Sequence, residues 1–145
     1  MANNLFIRKA EHNDFAPICA LMESHDMVGE FVVESCLIAE QLGEVVGFIR
    51  VEKINQLNYI RPIIVSPKYQ GKGIGKVLLQ NILKVDQEMI VISRGSAEGF
   101  YRKFGFEAMD WEDVHLPYVL ECAKCPDLNN CVPIPLRRFV KSDYF

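Results

Sequence analysis

Val65 to Lys84 reads Val-Ser-Pro-Lys-Tyr-Gln-Gly-Lys-Gly-Ile-Gly-Lys-Val-Leu-Leu-Gln-Asn-Ile-Leu-Lys. An apolar run from Ile60 to Val65 stops at Ser66-Pro67, alternate glycines follow, and Ile74, Val77, Leu78, Ile82 and Val85 then recur at helical spacing. The stretch therefore predicts strand, loop and helix. Gly71, Gly73 and Gly75 permit backbone conformations that a Cβ forbids and let a ligand approach closely. The N–H groups of the first helical turn have no partner inside the helix and point into the loop, which makes it an anion site suited to a pyrophosphate. Lys68, Lys72 and Lys76 add positive charge around it. A Walker loop is excluded, because Gly71-Lys72 is followed by Gly73 and not by a hydroxyl residue for magnesium. A dinucleotide fingerprint is excluded too, since Lys76 stands where the third glycine would be needed.

The run Gln70-Gly71-Lys72-Gly73-Ile74-Gly75 resembles the Gln/Arg-x-x-Gly-x-Gly/Ala signature of the GCN5-related N-acetyltransferases, the GNAT family. Downstream, Gly99-Phe100-Tyr101-Arg102-Lys103-Phe104-Gly105-Phe106-Glu107 resembles that family's last helix and the turn into its closing strands. The resemblance covers most of the chain and is weakest over the first helices and the tail. It implies an α/β fold: a mixed, mostly antiparallel sheet with one splayed parallel pair of central strands and flanking helices. It also implies acetyl-coenzyme A as cosubstrate, with its pyrophosphate held by Gln70, Gly71, Lys72, Gly73, Ile74, Gly75 and Lys76. The acyl-pantetheine arm would lie in the gap between the splayed strands and pair with the backbone of Ile63, Ile64 and Val65.

The whole chain bounds this reading. Its 145 residues predict one domain, 1–145, able to bury a core without staples. Hydrophobic residues make up 50% and charged residues 24%, a globular composition. A formal charge of −3 argues against a nucleic-acid partner, which would call for clustered basic residues. No apolar stretch approaches a membrane span and the first residues have no signal-peptide plan, so a cytoplasmic location with no membrane partner is expected. Five cysteines are an odd number, and no disulfide framework is expected.

Taken in order, Leu5 to Arg8 predicts a strand, and Glu11 to Met22 a helix with Phe15, Ile18, Cys19 and Met22 on one face. Ser24 to Glu34 fits a second short helix or a loop. Cys36–Glu40 and Val45–Val51 predict two strands joined at Leu42-Gly43-Glu44. Leu57 to Val65 predicts the next strand, irregular or bulged at Pro62, which has no N–H for a ladder. Met89–Ser93, Ala97–Phe104 and Glu107–Trp111 predict strand, helix and strand.

Transfer of an acetyl group to an amine expels a thiolate, which a nearby proton donor assists. Tyr101 matches the family's tyrosine in the Phe-Tyr-x-Lys-x-Gly-Phe run and is the catalytic candidate, its phenol protonated at neutral pH. The base that takes the amine proton is unassigned, because Leu57–Val65 holds no carboxylate; Glu52, Tyr59 and a water chain stay open. Ser93-Arg94-Gly95-Ser96 occupies the place where many family members carry a coenzyme-contacting asparagine, leaving Ser93 or Ser96 as its replacement, with Ser96 also a candidate helix N-cap.

Cys122, Cys125 and Cys131 give Cys-x-x-Cys and one more thiol, with His115 as the nearest further donor; a tetrahedral site wants four ligands, so no metal is expected. With Leu116-Pro117, these cysteines resemble the tail of short N-acetylglutamate synthase-like members of the family. That implies a small amine acceptor bearing a carboxylate, such as glutamate, for which Arg50 and Arg61 are candidate partners. A peptide or protein acceptor, and a non-catalytic acyl-coenzyme A sensor acting on a partner protein, are the competing readings. A homodimer is compatible with all of them.

Overall fold

The computed structural model describes residues 4–25, 27, 30–83 and 88–139. The chain packs as two compact units, Met1–Glu52 with Arg61–Val85, and Lys53–Ile60 with Asp86–Phe145.

In the first unit, β1 (Leu5–Lys9) pairs antiparallel with β2 (Cys36–Gln41), which pairs antiparallel with β3 (Glu44–Ile54). The β2–β3 turn is Leu42-Gly43 with φ of 52° and 78°, a left-handed pair that matches the twist of the two strands. Helix α1 (Phe15–Glu23) starts later than the apolar spacing predicted, behind a 3₁₀ turn at His12–Asp14. Pro17 gives the reason. A helix begun at Glu11 would place its ring in the interior, where it removes a hydrogen bond and clashes with a carbonyl, whereas a start at Phe15 leaves it in the first turn. Asp14 closes the entry, accepting from the Glu11 N–H at 2.7 Å and from both terminal nitrogens of Arg8 at 2.7 and 3.0 Å. The helix lays Ile18, Leu21 and Met22 against Ile38, Phe48 and Ile64, each such burial stabilising by roughly 1.5–3 kcal/mol. The segment after α1 carries a 3₁₀ turn at Val33–Ser35, and Phe31 stacks on Phe15 at 5.2 Å.

A second left-handed pair, Asn55 and Gln56 (φ 50° and 69°), turns β3 into β4 (Leu57–Val65). The expected irregularity at Pro62 takes a different form. The strand is unbroken and the Arg61–Pro62 peptide is cis; a register shift also interrupts the β2–β3 pairing, between Ala39 and Glu40. The parallel ladder from β4 to β5 (Met89–Ser93) covers Asn58–Ile60 against Met89–Val91, and β4 then runs on to Val65. Helix α2 (Ile74–Ile82) buries Ile74, Leu78, Leu79 and Ile82. Val85, part of the expected apolar face, lies outside the described residues.

In the second unit, β5 also pairs antiparallel with β7 (Ile134–Arg138), whose other edge takes β6 (Glu107–Ala108), so the strand order is β1-β2-β3-β4-β5-β7-β6. The strand expected over Glu107–Trp111 stops after two residues, because Asp110 enters a 3₁₀ turn at Trp111–Asp113. Helices α3 (Glu98–Arg102), α4 (Leu116–Lys124) and α5 (Leu128–Cys131) complete this unit. Its core gathers Tyr59, Ile90, Val114 and Tyr118, and the Tyr59 hydroxyl accepts from the His115 N–H at 3.0 Å. Among the described residues, no helix is long and apolar enough to cross a membrane.

Candidate active site

The loop between β4 and α2 is built from its own neighbours. Ser66 donates its N–H to the Val46 carbonyl at 2.8 Å, and the Gln70 side chain donates to the Val65 carbonyl at 3.0 Å. Gly47 on β3 permits this approach: a Cβ there would stand 3.0 Å from the Ile64 carbonyl oxygen. Pro67–Tyr69 makes one 3₁₀ turn, and the chain then passes through Gly71 (φ 79°) and Gly73 (φ 84°), conformations that L side chains rarely adopt.

Gly73 is the N-cap of α2, with no side chain capping the helix, and the first N–H to reach back is that of Val77, at 3.1 Å from the Gly73 carbonyl. The N–H groups of Ile74, Gly75 and Lys76 thus lack intrahelical partners. A Cβ built at Gly71 or Gly73 meets nothing of the protein within 4 Å, so the space beside both is open to a ligand. Open donors, a helix dipole and an accessible backbone suit a pyrophosphate. Ile63, Ile64 and Val65 close β4 immediately before this loop, beyond the end of its ladder to β5.

Arg50 and Arg61 also lie in the first unit, and the structure gives Arg50 local partners. Its Nε donates to the Arg61 carbonyl, one terminal nitrogen stands 3.6 Å from Glu52 Oε2, and the side chain is only 11% exposed. Arg50 therefore braces β4 beside Pro62, and Glu52, a candidate base, serves as its counter-ion. Arg61 is half-buried. Tyr59, the other candidate base, is only 2% exposed, with its ring in the core of the second unit.

The second unit holds Tyr101, Ser93 and Ser96. Tyr101 on α3 is 8% exposed, its ring edge-on to Phe100 at 5.1 Å and to Phe106 at 5.6 Å. Burial pushes its phenol up to about 12. Gly105 (φ 88°) turns the chain so that Phe106 comes back under Tyr101, and Arg138 on β7 ties this turn down by donating to the Phe104 carbonyl at 2.9 Å. Ser93 is buried and donates to the Arg94 carbonyl at 2.7 Å. Ser96 is exposed within a 3₁₀ turn and does not cap α3, whose N-cap is Ala97.

Among the described residues, no three His, Cys, Asp or Glu side chains are grouped to hold a metal. Cys125 is exposed, whereas Cys122 lines an apolar cavity of about 430 Å³ with Trp111, Val119, Leu128 and Val132. Burial pushes the Cys131 thiol up, disfavouring the thiolate that a metal or an electrophile would need. Sequence reasoning missed the partners of Tyr69: Lys68 Nζ and Lys72 Nζ stand 5.3 and 5.4 Å from its ring centroid, and its hydroxyl donates to Glu44 at 3.1 Å. The run Lys68-Tyr69-Gln70-Gly71-Lys72 was the available signal, because the turn that follows Tyr69 brings Lys72 back to the ring.

Among solved structures, N-acetylglutamate synthase from Neisseria gonorrhoeae, complexed with coenzyme A and N-acetyl-glutamate, matches with a TM-score of 0.76 at 18% identity over 98% of this chain. The match takes in 36% of the synthase, so the chain spans about a third of that protein's length. Rv2747 from Mycobacterium tuberculosis, in complex with CoA and NLQ, matches with a TM-score of 0.72 at 18% identity, covering 94% of this chain and 99% of that one. Arabidopsis thaliana Naa50, bound to the bisubstrate analogue CoA-Ac-MVNAL, matches with a TM-score of 0.63 at 24% identity over 74% of this chain and 85% of its own. No curated protein sequence matches the chain. The model of the acetyltransferase (GNAT) domain matches residues 33–108, more than half of the chain and inclusive of the glycine loop and the Tyr101 helix, and the chain belongs to the GNAT family.

Proposed function

We propose that the chain is an acetyl-coenzyme A-dependent N-acetyltransferase acting on the primary amine of a small molecule that carries a carboxylate, glutamate first among the acceptors to try. The observation that carries the coenzyme reading is the loop itself: two left-handed glycines, open on the outside, feeding an uncapped nine-residue helix. In this reading the pyrophosphate rests on the N–H groups of Ile74, Gly75 and Lys76, with Gln70, Gly71, Lys72 and Gly73 shaping the cradle. The pantetheine amides pair with the backbone of Ile63, Ile64 and Val65, and Ser93 or Ser96 takes the contact usually made by an asparagine. The neutral acceptor amine attacks the thioester carbonyl directly: the C–N bond forms, the C–S bond breaks, coenzyme A leaves as the thiolate, and the proton shed by the nitrogen passes to water.

Tyr101 assists that departure. With the phenol near 12, handing its proton to a thiolate whose conjugate acid lies near 8.5 would be uphill by roughly 5 kcal/mol. The hydroxyl therefore acts as a hydrogen-bond donor to the developing negative charge and keeps its proton.

The small-acceptor reading is supported by likeness to the synthase crystallised with N-acetyl-glutamate, and by the resemblance of the Leu116-Pro117 and cysteine tail to that of short N-acetylglutamate synthase-like members of the family. Arg50 and Arg61 are the proposed partners for an acceptor carboxylate, Arg50 from a place where it already holds the Arg61 carbonyl and faces Glu52. Naa50 favours a second reading, a peptide acceptor, since its solved complex contains a peptide-linked analogue. Mixing the protein with acetyl-coenzyme A and a panel of free amino acids, polyamines and peptides decides between them. Thiol release is expected with acidic amino acids, release confined to peptides would overturn the acceptor class, and binding without release on any amine would favour a sensor.

A further inference from the structure

The loop carries more positive charge than a pyrophosphate cradle made of backbone N–H groups requires. Lys68 and Lys72 direct their ammonium groups to a single ring, that of Tyr69, at 5.3 and 5.4 Å from its centroid. The ring is itself fixed, because its hydroxyl donates to Glu44 Oε1 at 3.1 Å. Glu44 also faces Lys68, at 4.0 Å, and offsets one of the two charges, leaving the group net positive. Two ammonium groups held within 5.4 Å of one ring centroid concentrate positive charge around a half-buried side chain, and a bound dianion would be drawn to it.

Acetyl-coenzyme A brings such a group. Its 3′-phosphate is a monoester carrying close to two negative charges, and it sits on the same ribose whose 5′ oxygen joins the pyrophosphate. An anion following the pyrophosphate into this loop therefore lies one sugar away from the open N–H groups of α2. Lys72 sits between the two left-handed glycines, and Lys68 lies in the 3₁₀ turn just before them, so both border that position.

We propose that Lys68 and Lys72, ordered by Tyr69, form a subsite for the 3′-phosphate, so that the loop selects coenzyme A over dephospho-coenzyme A. This rests on the acetyl-coenzyme A reading above, and its test separates the two. Calorimetric titration of the wild-type protein should show coenzyme A binding about tenfold or more tighter than dephospho-coenzyme A, as expected for charge-assisted contacts. The preference should shrink as sodium chloride is raised. In a Lys68→Ala, Lys72→Ala variant the ratio should fall toward one because coenzyme A is weakened by a larger factor than dephospho-coenzyme A, and Lys68→Arg, Lys72→Arg should restore it. Lys124→Ala, which removes an exposed lysine elsewhere, should leave the ratio at its wild-type value. Equal affinity of the wild-type protein for both ligands, or equal weakening of both in the alanine variant, would overturn the subsite and leave the coenzyme reading standing. No binding of coenzyme A at all would overturn both.

Discussion

At Gly73 the chain takes a φ of 84° with empty space on the side where a Cβ would stand, so the demand for glycine comes from the backbone, and in the proposed site from the coenzyme, and not from packing. Gly73→Val should therefore cost only about 1–3 kcal/mol of stability through backbone strain while sharply weakening coenzyme A binding. Calorimetry run beside thermal unfolding checks this; unchanged affinity would remove the loop from the mechanism. Tyr101 poses a different test. Tyr101→Phe keeps the ring against Phe100 and Phe106, and loss of a donor to the departing thiolate should lower kcat by about 10²–10³ with coenzyme binding little changed. Since its phenol is raised to about 12, Tyr101 stays protonated up to and beyond pH 10, and any basic limb of the wild-type rate profile below that pH must come from another group. The variant should thus scale the profile down without altering its shape. Disappearance of a basic limb in Tyr101→Phe would show that the phenol does titrate during turnover. Both residues stand out in the sequence because each sits in a short motif, and the structure puts Gly73 in the left-handed conformation and Tyr101 on a helix as that spacing predicts. The contact between Arg50 and a backbone carbonyl on the neighbouring strand was not legible, since strand pairing of that kind leaves no local pattern.

At the scale of elements, the entry to α1 shows how a few polar contacts set a helix start. The Arg8 hydrogen bonds hold the Asp14 carboxyl below the usual carboxylate range, against the opposing effect of burial and with help from the Glu11 N–H. A carboxyl with a depressed folded-state value lends stability above its unfolded value near 4, and that stability is lost as the pH falls through the folded value. Asp14→Asn should accordingly destabilise the protein by about 2–3 kcal/mol at pH 7, with the gap to wild type closing below about pH 4. Urea unfolding at the two pH values measures it; a gap that stays constant would mean that the charge plays no part. Elements were legible where apolar periodicity and turn residues agreed. Leu57–Val65 and Met89–Ser93 match their expected bounds. They were not legible where one residue overrides periodicity, as Pro17 does at α1, or where short turns and helices replace a longer strand, as they do after Ala108.

Over the whole molecule, β7 is a strand absent from the sequence reading. Ile134–Arg138 is short and carries a proline and two arginines, so nothing in its composition announces a strand with neighbours on both sides. Its place comes from partners distant in the chain: Met89–Ser93 on one edge, Glu107–Ala108 on the other, and Glu88, which holds Arg137. The acceptor reading also belongs to this scale, because a substrate carboxylate needs a positive partner that strands distant in the sequence bring into place. Arg61→Ala should raise KM for the acceptor without changing KM for acetyl-coenzyme A, whereas Arg50→Ala should lower stability as well. Steady-state kinetics and thermal unfolding on the same preparations separate the two; unchanged acceptor KM in Arg61→Ala would free the carboxylate of that partner.

The order β5-β7-β6 has a consequence for how the protein is made. A ribosome delivers β5 well before β7, and during that interval the apolar strand Met89–Ser93 offers one open hydrogen-bonding edge, while β6 has no sheet to join. A nascent or truncated chain ending at Pro133 should therefore pair with its own copies and scatter light at concentrations where the full chain stays clear. Supplying 134–138 in trans as a synthetic peptide should suppress that clumping, since the vacancy it fills is one strand wide.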